Sequence, residues 1–208
     1  MSDPAHLSPE TIEAWYAGKT FSSDWTSWHF STWMKILGPL REEPVRILEI
    51  GSWEGRSALF FLNYLPRAQL VCVDTFGGNV EHHRDPWFAA LVPEAEQRFD
   101  ANTAAFIARI EKRKGPASDV LPELGIEPRR FDIAYVDGSH LAKDVYSDAV
   151  LTWSLMAPEG IVIFDDYEFD QNETELERPK LGIDAFLKAI DGQYRLIHKD
   201  YQLVIAKP

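Results

Sequence analysis

Short apolar runs alternate with longer mixed stretches from about residue 45 onward. Residues 45–51 (Val-Arg-Ile-Leu-Glu-Ile-Gly) read as a strand, 57–64 as a helix closed by Pro66, and 69–74 (Gln-Leu-Val-Cys-Val-Asp) as a second strand. After a loop holding Gly77 and Gly78, residues 93–112 are compatible with one long helix. Within that stretch, 106–110 is the nearest approach to a third strand, and it reads almost equally as helix. Strands at 131–137 and 160–165 flank a helix at 143–156. A further helix near 183–190 precedes two closing strands, 194–198 and 202–206, joined by Lys199-Asp-Tyr.

Near-continuous Val/Ile/Leu strands separated by helices predict an α/β fold, with a mostly parallel sheet covered on both faces. The closing pair is too tightly linked for a parallel crossover, so it is expected as an antiparallel hairpin at the sheet edge. Residues 1–43 differ in character, carrying Trp15, Trp25, Trp28 and Trp33 among polar residues. They read as a helical, Trp-rich cap over the sheet. Packing onto the core is the preferred role for Trp15 and Trp33; for Trp25 and Trp28, packing and lining a site stand equal.

Composition narrows the partners. The 208 residues suit one domain with a small appendage, and 33 acids against 21 Lys and Arg leave a net charge of −12. That balance argues against a nucleic-acid backbone or an anionic membrane surface as partner. A small anionic ligand stays open, because local backbone N–H groups can hold one. No basic-then-apolar leader and no apolar run long enough to span a bilayer are evident, so a cytoplasmic protein is expected. Cys72 is the single cysteine, which excludes an intramolecular disulfide and suits a reducing compartment. A homo-oligomer assembled through the Trp-rich N-terminus stays open.

In open α/β sheets ligands bind outside the carboxyl ends of the strands, so what each strand ends with matters most. The first ends Glu49-Ile-Gly51-Ser-Trp-Glu-Gly55-Arg-Ser57 and the second in Asp74. The later two end Asp137-Gly-Ser-His140 and Asp165-Asp166-Tyr167. Gly51 and Gly55 fit a turn in which backbone approaches a ligand too closely for a Cβ. Their spacing lacks the middle glycine of a dinucleotide fingerprint, which favours a loop passing a nucleoside over one cradling a pyrophosphate. Asp74, about 20 residues further on, suits a carboxylate accepting ribose hydroxyls.

Glu49-Ile-Gly-Ser-Trp-Glu-Gly-Arg-Ser57 followed by Val-Asp74-Thr-Phe resembles the cofactor-binding half of class I S-adenosylmethionine-dependent methyltransferases. Tyr-Val-Asp137-Gly-Ser-His140 and Ile-Phe-Asp165-Asp166-Tyr resemble the group called methyltransferase domain 24, which includes macrolide-sugar O-methyltransferases. The resemblance covers residues 44–208 and implies a Rossmann-like seven-stranded sheet with a final antiparallel hairpin. It implies that Glu49, Gly51, Ser52 and Gly55 surround the methionine part of the cofactor and that Asp74 binds its ribose. Ser57, Thr75 and Asp137 join the cofactor-binding set, and Ala117 and Ser118, in the loop after the third strand, lie by the adenine.

Asp137, Asp165 and Asp166 would then meet at adjacent strand ends, where their mutual repulsion calls for compensation. A hard divalent cation, Mg²⁺, supplies it, as in metal-dependent O-methyltransferases; many of those carry an amide where this chain has Asp166. The alternative is one helix-capping aspartate beside two solvated ones. In the macrolide-sugar enzymes the histidine matching His140 looks like the base that takes the acceptor proton, against a structural or capping histidine. His82 and His83 fit a loop over the site, and His29 is a further candidate. Glu173, Glu175 and Glu177 belong to a charged loop, 168–180, read as a solvated surface loop whose position would also allow a lid. The expected activity is methyl transfer to a hydroxyl of a small molecule: a sugar, a phenol or another natural product. Two rivals are a nicotinamide-dependent oxidoreductase and a catalytically silent nucleoside-binding module.

Overall fold

The computed structural model describes residues 7–170 and 174–208. Two helices come first, α1 (Pro9–Tyr16) and α2 (Phe30–Leu37), followed by β1 (Arg46–Ile50), α3 (Arg56–Tyr64) and β2 (Gln69–Asp74). Two short helices, α4 (Val80–Arg84) and α5 (Pro86–Ala89), lead into α6 (Val92–Thr103) and β3 (Ile110–Lys114). Then come α7 (Ala117–Ile126), β4 (Phe131–Val136), α8 (Ala142–Leu155), β5 (Met156–Phe164), α9 (Pro179–Ala189), β6 (Arg195–Lys199) and β7 (Leu203–Ala206).

The seven strands form one sheet in the order β3-β2-β1-β4-β5-β7-β6. All neighbouring pairs from β3 to β5 are parallel, while β7 runs antiparallel to both β5 and β6. The closing hairpin is therefore present, with its second strand slotted inside and its first at the edge. Because side chains alternate across a strand, the sheet feeds two cores. Ile47, Leu70, Cys72, Ile133 and Tyr135 face one made with α2 and α3; Leu48, Val71, Val73, Ala134 and Val136 face the other, made with α7, α8 and α9. Helix α2 enters the first core through Phe30, Trp33, Met34 and Leu37, all buried, and the Trp33 indole donates to Gln202 Oε1 at 2.7 Å.

The third strand is where the reading from sequence needs correction. The helix expected over 93–112 stops at Thr103, residues 104–109 form a 3-10 turn, and the strand is 110–114, not 106–110. Ile110-Glu-Lys-Arg-Lys looks too charged for a strand, but β3 pairs only with β2 and sits at the edge. There its charges are matched: Lys112 meets Glu96 and Asp100, and Arg113 meets Glu111 and Glu127. Charged side chains on an edge strand also deter pairing with another chain.

Strands β1 and β4 are neighbours, yet the chain leaves β1 toward β2 and returns to β4 from the other side. This is the switch point at which a crevice opens in such sheets. The two strand ends approach so closely there that a Cβ on Gly51 would stand 1.8 Å from the Asp137 carbonyl oxygen, and Gly51 has φ 84°. Backbone on both sides leaves nothing able to yield. Gly51→Ala should therefore cost about 3 kcal/mol or more, or prevent folding outright, as chemical denaturation would show.

Candidate active site

The loop after β1 turns through three residues with positive φ, Gly51, Trp53 and Gly55. Gly55 caps α3, and a Cβ there would press on Thr103 at 2.9 Å and Phe99 at 3.1 Å. Both glycines are thus required by the protein's own packing. Glu49 lies beneath this loop, fully buried; Ser52 Oγ donates to it at 2.6 Å and the Cys72 thiol sits 3.4 Å away. Burial pushes the Glu49 carboxyl above its ordinary range. Ser52, Gly55 and Ser57 are buried beside it, so these four form the floor under the loop.

Asp74 ends β2 and faces the crevice. Its two oxygens accept backbone N–H groups of Trp53 at 2.7 Å and Phe76 at 2.6 Å, which ties the first two strand ends together. Burial raises its pKa, and these two bonds oppose the rise. Thr75 is exposed, and its hydroxyl accepts from the Gly77 N–H. Ala117 and Ser118 open α7 on the same cavity.

The acids gather at the ends of β4 and β5. The Tyr135 hydroxyl lies 2.9 Å from Asp137 Oδ2 and against Asp165 Oδ2, so its single proton serves two carboxylates. Asp165 Oδ1 also accepts the Asp166 N–H at 2.8 Å. Burial first, and the neighbouring acids second, push Asp137 well above the carboxylate range and Asp165 to about 7. Asp166, at φ 57°, behaves differently. Burial raises it too, but His140 Nε2 at 2.9 Å and the Tyr201 hydroxyl at 2.7 Å hold its carboxyl below the ordinary value. Ligand-capable atoms of Asp137, His140 and Asp166 all lie within 4.8 Å of one another. Asp165 lines the same cavity, with both its oxygens already engaged by protein groups.

Of the other histidines, His29 is buried with Nε2 3.6 Å from Asp165 Oδ1, beyond hydrogen-bond reach, and burial lowers its pKa to about 4. His82 stacks on Trp53 with centroids 4.9 Å apart and planes 4° apart. His83 is exposed and bonded to the Gly77 carbonyl. Neither is in the Asp137 group. Trp33 is fully buried and Trp15 packs edge-on against Phe60, whereas Trp25 and Trp28 are exposed by 44% and 59% and line the cavity. Trp25 leans on Trp53, His82 and Phe88; Trp28 leans on Tyr201. Arg84 pairs with Glu177 at 2.7 Å, linking α4 to the charged loop. Glu175 shares its short turn with Glu177, and Glu173 falls outside the described residues.

Gly51, Asp74, Thr75, Ala117, Ser118, Asp137, His140, Asp165 and Asp166 line one cavity of about 1250 Å³, larger than the ~300–1,000 Å³ a single small ligand typically fills, whereas Glu49, Ser52, Gly55 and Ser57 do not reach its lining. Among the described residues no helix is long and apolar enough to cross a membrane. Residues 48–167 match the family described as a methyltransferase domain, the domain 24 group. The chain belongs to that family. It is 28% identical over 129 residues to the O-methyltransferase hkm8 of Aspergillus hancockii, covering 61% of this chain and 44% of that protein. It is 27% identical over 133 residues to the mycinamicin VI 2''-O-methyltransferase of Micromonospora griseorubida, covering 61% of this chain and 28% of that one. This domain thus spans less than half the length of either relative. Among solved structures it resembles the MycE methyltransferase of the mycinamycin pathway, in complex with Mg, SAH and mycinamycin VI. That likeness has a TM-score of 0.65 and 19% identity, covering 95% of this chain and 53% of that one.

Two side chains escaped the reading of strand ends: Tyr135, buried behind the cavity's acids, and Asp148, in its lining. Tyr135 was findable, since the two-residue period of a strand puts it on the face of Asp137. Asp148 lies on α8 one turn beyond Asp144, a spacing that places both on one helix face. It is 6% exposed, and burial raises its pKa to about 7. The folded state therefore holds this proton more tightly than the unfolded chain. Stability from the neutral acid is complete below about pH 4 and is lost as pH rises through about 7. Asp148→Asn should raise the thermal midpoint by about 3 °C or more at pH 8, with the gain shrinking toward pH 4, in melts across that range.

Proposed function

We propose that this chain is the S-adenosylmethionine-binding, Mg²⁺-dependent domain of an O-methyltransferase acting on a hydroxyl of a small molecule. The observation that carries the reading is the group Asp137, His140 and Asp166, gathered within 4.8 Å at the rim of a cavity that also holds Asp74. The curated relatives named above, both O-methyltransferases, support the same reaction class. Their acceptors are theirs; for this chain a sugar, a phenol or another hydroxylated natural product fits the reading.

The residues fit both absent groups. Asp74 keeps unused lone pairs on the two oxygens that bind Trp53 and Phe76, so it can accept ribose hydroxyls. Buried, mutually repelling carboxylates are what a divalent cation relieves, and two carboxylates with open positions suit Mg²⁺. Asp137 and Asp166 are its proposed ligands, with Asp165 behind them positioning Asp137 through the shared Tyr135 hydroxyl. When bound, S-adenosylmethionine supplies an electrophilic methyl group and the cation lowers the pKa of a nearby hydroxyl.

The chain's own part is orientation, desolvation and proton removal. His140 is held by Asp166 at 2.9 Å, an arrangement that fixes the imidazole and stabilises its protonated form after it accepts the hydroxyl proton. Trp25 and Trp28 line the cavity from the N-terminal side, where their apolar rings would shield a bound acceptor from water. A nicotinamide enzyme fits this loop poorly: Trp53 occupies the position of the missing glycine and stacks its ring on His82.

Turnover with labelled S-adenosylmethionine and a library of hydroxylated metabolites tests the reading. Methyl incorporation should require Mg²⁺ and vanish with a chelator. His140→Ala should lower kcat by about 10²–10⁴-fold while leaving S-adenosylhomocysteine affinity within about threefold. Turnover that survives the chelator removes the metal from the proposal, and a fully active His140→Ala removes the base.

A further inference from the structure

The Asp148 carboxyl has no role in the chemistry above, yet it lines the same cavity. It is 94% buried, the complement of its 6% exposure, and among the described residues no group forms a hydrogen bond with it. Its nearest acidic neighbour is otherwise engaged: Asp144 accepts from Ser139 at 3.0 Å and from Lys143 at 2.6 Å. Asp148 Oδ2 lies 3.5 Å from where a Cβ on Gly138 would stand, which places it under the loop that follows β4. A carboxyl so buried and unbonded is costly to the fold unless something else supplies the donor.

The same cavity holds the start of α7, and α7 packs directly on α8. Val120, Leu121 and Leu124 share a core with Val145 and Ala149, and Ala117 packs against it. The Asp119 and Val120 N–H groups turn back to the Pro116 carbonyl. Those of Ala117 and Ser118 have no acceptor within the helix and stand at its positive end. The cavity therefore offers N–H donors from the first turn of α7 and one carboxyl acceptor from α8, the helix packed beside it. A flat heterocycle with a ring nitrogen that accepts, next to an exocyclic amino group that donates, complements that pair. Adenine presents such an edge; hypoxanthine, with a carbonyl and a ring N–H, presents the reverse.

We propose that Asp148 determines base specificity at the cofactor site, accepting the exocyclic amino group of adenine while the first turn of α7 donates to the ring. The inference rests on the cofactor reading above and adds to it a residue from α8, outside the strand-end motifs. A carboxyl oxygen accepts in either protonation state, but only the neutral acid can also donate to the carbonyl of hypoxanthine, so the two ligands are compared at pH 8 or above, where the carboxylate form prevails. It also accounts for a group whose removal is expected to stabilise the free protein.

Calorimetric titration of the full chain with S-adenosylhomocysteine and with S-inosylhomocysteine separates the possibilities. The unaltered protein should prefer the adenine compound by roughly tenfold or more, as a site built around a hydrogen bond rejects a ligand lacking the donor. Asp148→Ala should weaken S-adenosylhomocysteine by a similar factor, leave the inosine compound within about twofold, and bring the ratio toward one. Asp148→Asn, nearly the same size and able to turn its amide either way, should also narrow the ratio, which keeps the test intact should the alanine variant fold poorly. An unchanged ratio in a folded variant overturns the role of Asp148 and leaves the cofactor reading standing. Absence of S-adenosylhomocysteine binding to the unaltered protein overturns both.

Discussion

Where β1 and β4 part, the backbone of Gly51 lies against the carbonyl of Asp137 with no room for a side chain, and most of the site is arranged around that contact. Because the strands are hydrogen-bonded neighbours to their last residues, the loops that leave them must diverge at once. One carries Trp53 to the Asp74 carboxylate, the other carries His140 to Asp166. The crevice between these loops is a consequence of parallel strands whose connections run to opposite sides. Its width at the base is set by two backbones in contact, which is a far stiffer boundary than side chains would give.

Onto that rigid seam the sequence places more negative charge than a protein interior ordinarily tolerates. Glu49, Asp74, Asp137 and Asp165 are all raised by burial, and each is met by a partial remedy. Glu49 has the Ser52 hydroxyl, Asp74 two backbone N–H groups, and Asp137 and Asp165 share one phenol. Only Asp166 is well supplied, with a histidine and a tyrosine. Hydrogen bonds from neutral donors reduce the repulsion among such groups without cancelling it, and a retained proton or a bound cation are the two ways to remove the remainder. Asp137 and Asp166, which line the cavity, are also gathered with His140 within 4.8 Å, so two carboxyls and an imidazole share one place at the rim.

The core of the fold was legible because its cause is local: apolar runs of strand length, closed by Gly, Asp or Pro, alternate with amphipathic stretches. β3 was misplaced because an edge strand need not be apolar. Its two lysines and one arginine are matched by glutamates on α6 and in the loop near 127, which no single window of sequence reveals. The strand-end acids were likewise readable, since the position of a polar residue at the end of an apolar run fixes which rim it reaches. Their inequality was not. Asp165 and Asp166 both line the cavity, but Asp165 is engaged from within its own sheet by Tyr135, whereas Asp166 meets His140 and Tyr201 through a left-handed backbone at 166 and a hairpin 35 residues away. The glycines carried a true signal of close approach, and part of its source is the protein itself: a Cβ on Gly55 would press on Thr103 and Phe99 of α6.

The N-terminal segment shows how a cap becomes part of a site. Its attachments converge on the elements behind the glycine loop: Thr20 and Asn102 exchange two hydrogen bonds, the Ser22 N–H reaches Glu54, and Arg56 grips Asp24 through both terminal oxygens. The same guanidinium lies over Tyr16 and Phe21, so it is held by aromatic faces while it holds the carboxylate. Exposed ion pairs are individually weak, but here the pair, the backbone bonds and the ring contacts all fix one short stretch at one loop. What that stretch carries into the cavity is Trp25 at the Trp53–His82 wall and Trp28 at Tyr201, whose hydroxyl bonds Asp166. The position of the cap is thereby coupled at one end to the loop that binds Asp74 and at the other to the acid that orients His140. Loosening the segment would disturb both ends of the cavity together, which is why aromatic residues outside the sheet belong to the site's architecture as fully as the strand ends do.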